Sequence, residues 1–283
     1  MKIAAVVIVY YPEKEIFNNI LSYCDFFTKT FVVDNSERPD SSFVERIQAS
    51  PILQYISDDI NKGIAIRLNE VCHQAIKEGF DFLLTMDQDS FFDTEDLRQY
   101  LSCIQNHDCT NTAMFGINYI QRTNSPDKCM AQKATQLITS GSVINLSLFN
   151  VIGGFDEALF IDEVDTDYCY AAISKGYDII AFENIFLYHH LGIVSQFRSL
   201  KNFAKTPRVL HSPVRVYYMV RNFLYIRKKY KENFRKETKQ RKSALINRLK
   251  NNILYGKQRL KIVRYIFKAI WDYKNNKMGK ISE

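Results

Sequence analysis

Leu83-Leu84-Thr85-Met86-Asp87-Gln88-Asp89-Ser90 is an apolar run that stops at two carboxylates spaced one residue apart. Such a run reads as a buried strand with acids at its C-terminal edge. In open α/β sheets that edge is where ligands bind, and on an extended segment residues i and i+2 point to the same side. Hard divalent cations take oxygen sites of this kind. The alternative is that Asp87 and Asp89 solubilise a turn and cap the helix suggested by Thr94-Glu95-Asp96-Leu97. A D-x-D pair alone does not separate the two; the rest of the chain does.

Upstream, Ile3-Ala4-Ala5-Val6-Val7-Ile8-Val9-Tyr10 has one Lys before it and no small-residue cleavage site after it, so a buried first strand is expected rather than a signal peptide. Tyr11-Pro12-Glu13 turns into a helical pattern through Ile16, Ile20, Leu21, Phe26 and Phe27. Thr30-Phe31-Val32-Val33 follows as a second strand ending in Asp34-Asn35-Ser36. Strand, helix, strand in so short a space is the signature of a parallel sheet. Asp34 either accepts from a ribose or base or simply makes a turn. A third strand, Ile52 to Ile56, leads to Asn61-Lys62-Gly63-Ile64-Ala65 and a helix through Leu68, Val71, Cys72 and Ile76. Gly63 permits a close backbone approach, but the stretch is neither a Walker loop nor G-x-G-x-x-G.

Downstream, strands are expected at Met114-Phe115-Gly116-Ile117 and at Gln136-Leu137-Ile138, the latter ending in Thr139-Ser140-Gly141-Ser142. The segment Phe160-Ile161-Asp162-Glu163-Val164-Asp165-Thr166-Asp167 packs four acids into six residues. These either complement a helix dipole or repel one another enough to keep one carboxylate basic. A strand at Tyr177 to Phe182 precedes Tyr188-His189-His190-Leu191-Gly192. Here an imidazole is either a hydrogen-bonded core group or the completion of a carboxylate metal site. Ser212-Pro213 should cap a helix on which Arg215, Tyr218 and Asn222 share a face, with Arg221 adjoining. Those arginines are either solvated or grip a diphosphate.

The 283 residues are 46% hydrophobic and 24% charged, ordinary for a globular protein. Of 38 Lys and Arg and 31 Asp and Glu, 25 and 4 respectively lie from Arg198 onward, so an acidic body carries a basic C-terminal third. That split suggests a polyanion, nucleic acid or anionic membrane, as partner. No nucleic-acid motif accompanies it, and no apolar run approaches the roughly 20 residues of a spanning helix. The six cysteines are scattered without C-x-x-C, so reduced thiols are expected, with neither a zinc site nor a disulfide framework.

Together these motifs resemble the family 2 inverting glycosyltransferases of GT-A fold, in their bacterial rhamnosyltransferase-like branch. The matching pieces are Val9-Tyr10-Tyr11-Pro12, Asp34-Asn35-Ser36, Asn61-x-Gly63-Ile64-Ala65 with Asn69, Asp87-Gln88-Asp89-Ser90 and Thr139-Ser140-Gly141. Phe160-Ile161-Asp162 through Asp165, His189-x-Leu191-Gly192, and His211-Ser212-Pro213 through Arg221-Asn222 complete the set. The resemblance implies an α/β catalytic domain over residues 1–222, a Rossmann-like mixed sheet flanked by helices, followed by a basic amphipathic helical region over 223–283. It implies a nucleotide-sugar pocket formed by Tyr10, Asp34, Asn61, Gly63, Asp87, Arg215 and Arg221. It also implies Mn2+ or Mg2+ on Asp89 and His189, Asp162, Ser140 and Gly141 towards the acceptor, and Asp165 as general base with Asp162 as the fallback. Many relatives carry Glu-Asp where this chain has Val164-Asp165. The implied reaction moves a sugar, rhamnose from dTDP-rhamnose in the first instance, to a glycan or lipid-linked acceptor at the cytoplasmic face of the inner membrane. A nucleotidyltransferase on the same fold is the rival, but Tyr11-Pro12-Glu13-Lys14-Glu15 is not its Gly- and Lys/Arg-rich loop. The stripe Leu245, Leu249, Ile253, Leu260, Val263, Phe267, Ile270 and Trp271 either lies in a membrane interface or packs on the catalytic domain.

Overall fold

The apolar runs that alternate with helical periods fold as alternating strands and helices. A computed structural model describes residues 1–118, 129–189, 194–198 and 205–282. In chain order the first half comprises β1 (Ile3–Val9), α1 (Ile16–Leu21), a 3-10 turn (Cys24–Phe26), β2 (Thr30–Asp34), α2 (Ser41–Gln48) and β3 (Leu53–Ile56). There follow α3 (Ile64–Lys77), β4 (Phe82–Asp87), β5 (Ser90–Phe91), α4 (Thr94–Gln105) and β6 (Thr112–Asn118). The second half comprises β7 (Ala131–Lys133), β8 (Ser142–Asn145), α5 (Leu146–Ile152), α6 (Val164–Ser174), β9 (Asp178–Phe186) and β10 (Tyr188–His189). Last come β11 (Val194–Arg198), β12 (Lys205–Val209), α7 (Pro213–Tyr230), α8 (Arg235–Tyr255) and α9 (Arg259–Lys274).

The chain divides into two units, Met1–Glu157 with Val164–His190, and Ala158–Glu163 with Leu191–Glu283. The boundary expected after Asn222 therefore falls inside α7, because that helix shares its apolar face with α9. In the first unit an eight-stranded sheet runs β3-β2-β1-β4-β8-β6-β9-β7. Its first four strands are parallel, β8 is antiparallel to both β4 and β6, and β7 is antiparallel to β9. Ile8 pairs with Asp87 and Val9 with Asp34, so the carboxyl ends of β1, β2 and β4 lie side by side. β1 and β4 are buried along nearly their whole length, which explains their continuous rather than alternating apolar character.

Two expectations are corrected. Gln136-Leu137-Ile138 is not a strand; Leu137 lies across Gly116, where even an added Cβ would sit 2.7 Å from its methyls, and the strand forms after Gly141 as β8. The thiols are not all reduced: Cys103, on α4, is bonded to Cys129, and Cys24, Cys72, Cys109 and Cys169 are free. A single pair 26 residues apart has no spacing signature by which sequence could have found it.

The second unit is built on α7, α8 and α9. Ser212 Oγ accepts from Arg215 N–H and Pro213 occupies the first turn, the start that local chemistry predicts. Val216, Tyr217, Tyr218 and Val220 of α7 pack with Ile262 and Ala269 of α9, and Leu245, Leu249, Ile253 and Ile270 close over them. Half of the apolar stripe expected at a membrane is thus part of this unit's own core. Among the described residues no helix is long and apolar enough to cross a membrane.

Candidate active site

Asp87 ends β4 and Asp89 follows two residues later, while His189 arrives on β10, whose short antiparallel ladder pairs His189 with Ser90. Tyr188 stacks on Phe91 in the same ladder with ring centroids 4.7 Å apart, which fixes its register. Asp87, Asp89 and His189, all half-buried, thereby present one ligand atom each within 4.8 Å of one another. His189 Nδ1 is 3.5 Å from Asp89 Oδ1. Behind them, Asp87 N–H donates to Ser140 Oγ (3.2 Å), Ser140 Oγ donates to Ser90 Oγ (2.8 Å), and Ser90 Oγ stands 2.7 Å from His189 Nδ1. This hydroxyl chain orients a carboxylate strand end and an imidazole that are about a hundred residues apart. Two carboxylates and one imidazole suit a hard divalent ion such as Mn2+ or Mg2+.

Gln88, between the two acids, binds the turn after β1 and helix α1: its Oε1 accepts from Tyr10 N–H (2.7 Å) and its carbonyl from Asn19 Nδ2 (2.9 Å). Tyr11, at φ 46°, is held from the other side by Ser36 Oγ (2.7 Å). The exposed Tyr10 ring packs edge-on against Tyr11. Burial, then Glu37, raises the Tyr10 phenol above its ordinary range, so it is a hydrogen-bond donor at neutral pH.

Asp34 is fully buried, its oxygens accepting from Ser36 N–H (2.9 Å) and Tyr55 OH (3.0 Å). It shapes the turn at the end of β2 rather than standing open to solvent. Asn61 Oδ1 accepts from Asn35 Nδ2 (2.9 Å) and Gly63 N–H (3.1 Å), and Gly63 enters α3 at φ 83°, where a side chain would be strained. Sequence reasoning missed what braces this loop. Arg67, buried on α3, bonds Asn35 Oδ1, Ile60 carbonyl, Glu70 and Asp58, and its guanidinium holds the Asp58 carboxyl down to about 2.

Ser140 and Gly141 are also placed differently from the acceptor role. Ser140 is buried behind the acids, and Gly141, at φ 75°, donates to Thr85 carbonyl where a Cβ would lie 2.7 Å from Ile117. Asp165 stands half-buried in the first turn of α6, its Oδ1 accepting from Thr166 N–H (2.7 Å). Val164, where relatives carry Glu, is buried at the start of that helix.

In the second unit, Arg215 pairs with Asp162 at 2.7 Å. Arg221, given a diphosphate role by the resemblance, is fully buried. It donates to Tyr217 OH (3.1 Å) and Asn222 Oδ1 (3.0 Å), and its guanidinium lies 5.1 Å from the ring centres of Tyr217 and Tyr218. Leu191 and Gly192 of the resemblance lie outside the described residues.

No family model matches the chain. It is 27% identical over 249 residues to dTDP-rhamnosyl transferase RfbF of Shigella flexneri, with 81% of each chain covered. GalNAc-T7 with UDP, GalNAc and Mn2+ superposes with a TM-score of 0.56 at 9% identity, over 67% of this chain and 44% of that one. S. aureus TarS superposes with a TM-score of 0.51 at 18% identity, over 97% and 49%. TarS 1–349 in complex with UDP-GlcNAc gives 0.52 at 19%, over 96% and 80%. The chain spans less than half the length of the first two of these structures. The fold they share with it is GT-A.

Proposed function

We propose that this chain, a glycosyltransferase of GT-A fold, moves a sugar from a nucleoside-diphosphate donor to a hydroxyl of a glycan or lipid-linked acceptor with inversion at the anomeric carbon. The observation that carries the reading is the convergence of Asp87, Asp89 and His189 at the carboxyl edge of the parallel strands. dTDP-rhamnose is the first donor to test, because RfbF carries that specificity in its name.

Asp87, Asp89 and His189 would hold Mn2+ or Mg2+, which supplies positive charge to the departing diphosphate. Tyr10 offers an exposed ring and a phenol donor to the nucleoside, over a floor built by Asp34, Asn61 and Gly63. Within the second unit, Arg221 donates to Tyr217 OH and Arg215 is engaged by Asp162. Asp165 accepts the proton of the acceptor hydroxyl as that oxygen bonds the anomeric carbon from the side opposite the diphosphate, whose bond to the same carbon breaks. A donor of this class is made in the cytoplasm, which puts the enzyme there, peripheral to the inner membrane face if its acceptor is lipid-linked.

Thermal shift with a panel of sugar nucleotides, each with Mn2+, with Mg2+ and with excess chelator, tests the reading. A metal-dependent shift is expected for one donor, lost in Asp89→Ala while that variant keeps its parent melting temperature without ligand. A shift that survives chelator, or that Asp89→Ala retains, overturns the metal site; no shift with any donor overturns the donor class.

A further inference from the structure

The loop 158–163 runs directly into α6, whose second residue is Asp165. Its last two residues, Asp162 and Glu163, both lie in the left-handed region at φ 64° and 69°. Neither is glycine, and two such residues in succession do not persist unless neighbouring structure imposes them. Groups of the C-terminal helices engage both of them. Asn222 Nδ2 donates to the carbonyls of Ile161 (2.7 Å) and Asp162 (3.0 Å), Arg215 pairs with the Asp162 carboxylate, and Arg241 of α8 pairs with Glu163. At the loop's other end Gly279 N–H donates to Ala158 carbonyl (2.9 Å), and Phe160 stacks on Tyr218.

We infer that Arg241, with Arg215 and Asn222, is a positioning residue that holds the loop leading into the base in its left-handed conformation. The C-terminal helices then act on catalysis through the chain itself, as a clamp on the segment that delivers Asp165. Glu163 serves as the anchor of this clamp, which gives a function to an acid that otherwise stands one place away from the Glu of related sequences. The inference rests on Asp165 being the base; the clamp itself is testable without that premise.

The decisive variants of the full chain are Arg241→Glu, which sets like charges against each other, and Glu163→Arg with Arg241→Glu, which restores the pair reversed. Hydrogen–deuterium exchange over 158–168 should rise about tenfold or more in Arg241→Glu and return towards the parent in the double variant. With dTDP-rhamnose as donor, release of dTDP should fall by about 10²-fold in kcat in Arg241→Glu, with KM for donor unchanged, and recover in the double variant. Unaltered exchange in Arg241→Glu overturns the clamp. Faster exchange with undiminished kcat overturns its positioning role, as does failure of the reversed pair to recover either quantity. If the parent releases nucleotide from no donor, the functional reading fails, and the exchange arm still decides the clamp.

Discussion

Asp162 and Asp165 stand three positions apart and differ in what engages them. Arg215 bonds the carboxylate of Asp162, and an oxygen committed to a guanidinium is a poor acceptor for a substrate proton. Asp165 Oδ1 accepts from the adjacent Thr166 N–H and hydroxyl, and an asparagine amide oxygen can keep those bonds. Asp165→Asn should therefore preserve the helix start and metal-dependent donor binding while lowering turnover by about 10²-fold or more, the effect of removing a positioned base. Single-turnover sugar transfer, measured beside thermal shift with the same donor, checks this; normal turnover in Asp165→Asn with a dead Asp162→Asn would reverse the assignment. The D-x-D pair and His189 were legible in the sequence because a buried strand must end where its apolar run ends. The hydroxyls of Ser90 and Ser140 that link them lie within the sequence motifs, but their role depends on β5 meeting β10, a non-local pairing. The burial of Arg221 was not legible for a related reason: helical spacing says which residues share a face, not whether that face meets solvent or protein.

Between α7 and α9 a buried polar chain runs from Arg221 Nη1 to Tyr217 OH and from Tyr217 OH to Asp272 Oδ2 (2.7 Å), with Lys268 Nζ 3.5 Å from the same oxygen. Burial, then the bond to Asp272, raises the Tyr217 phenol far above its ordinary range, so it remains a donor to the carboxylate. Tyr217→Phe keeps the ring in the core and removes the donor from a buried carboxylate, and should cost about 1–3 kcal/mol. Urea unfolding monitored by far-UV circular dichroism reads this; an unchanged midpoint would mean that water or Lys268 replaces the phenol without loss. This pair also explains what the sequence left open. Ser212 and Pro213 announce α7 by local cap chemistry, whereas α9 carries apolar residues on two faces. Ile262 and Ala269 turn inward and Leu260, Phe267 and Trp271 outward, and the choice is fixed by Asp272 finding Tyr217, a tertiary contact 55 residues away.

At the scale of the whole chain, the basic third meets its opposite charges only in part. Arg215 and Arg241 hold Asp162 and Glu163, but Lys257, Lys261, Arg264 and Lys274 are exposed on or beside α9. Interleaved with them, Leu260, Phe267 and Trp271 are 89%, 68% and 53% exposed at spacings of seven and four residues, one stripe of the helix. An apolar stripe flanked by cations is the pattern of a helix that rests on an anionic bilayer, where each basic residue near the surface contributes about 1 kcal/mol. Removing everything after Asn222 would not test this, because it would cut α7 in half and strip the core that α8 and α9 complete. Substituting the outward residues does: Phe267→Ser with Trp271→Ser leaves Ile262, Ala269 and the Tyr217–Asp272 bond in place. In liposome flotation the full chain should bind vesicles containing phosphatidylglycerol, fail to bind purely zwitterionic ones, and release as salt is raised. The double variant should remain folded and float several-fold less. Equal flotation of parent and variant would move the membrane contact away from α9, and no flotation of the parent would leave its cations to an acceptor whose own negative charge arrives in solution.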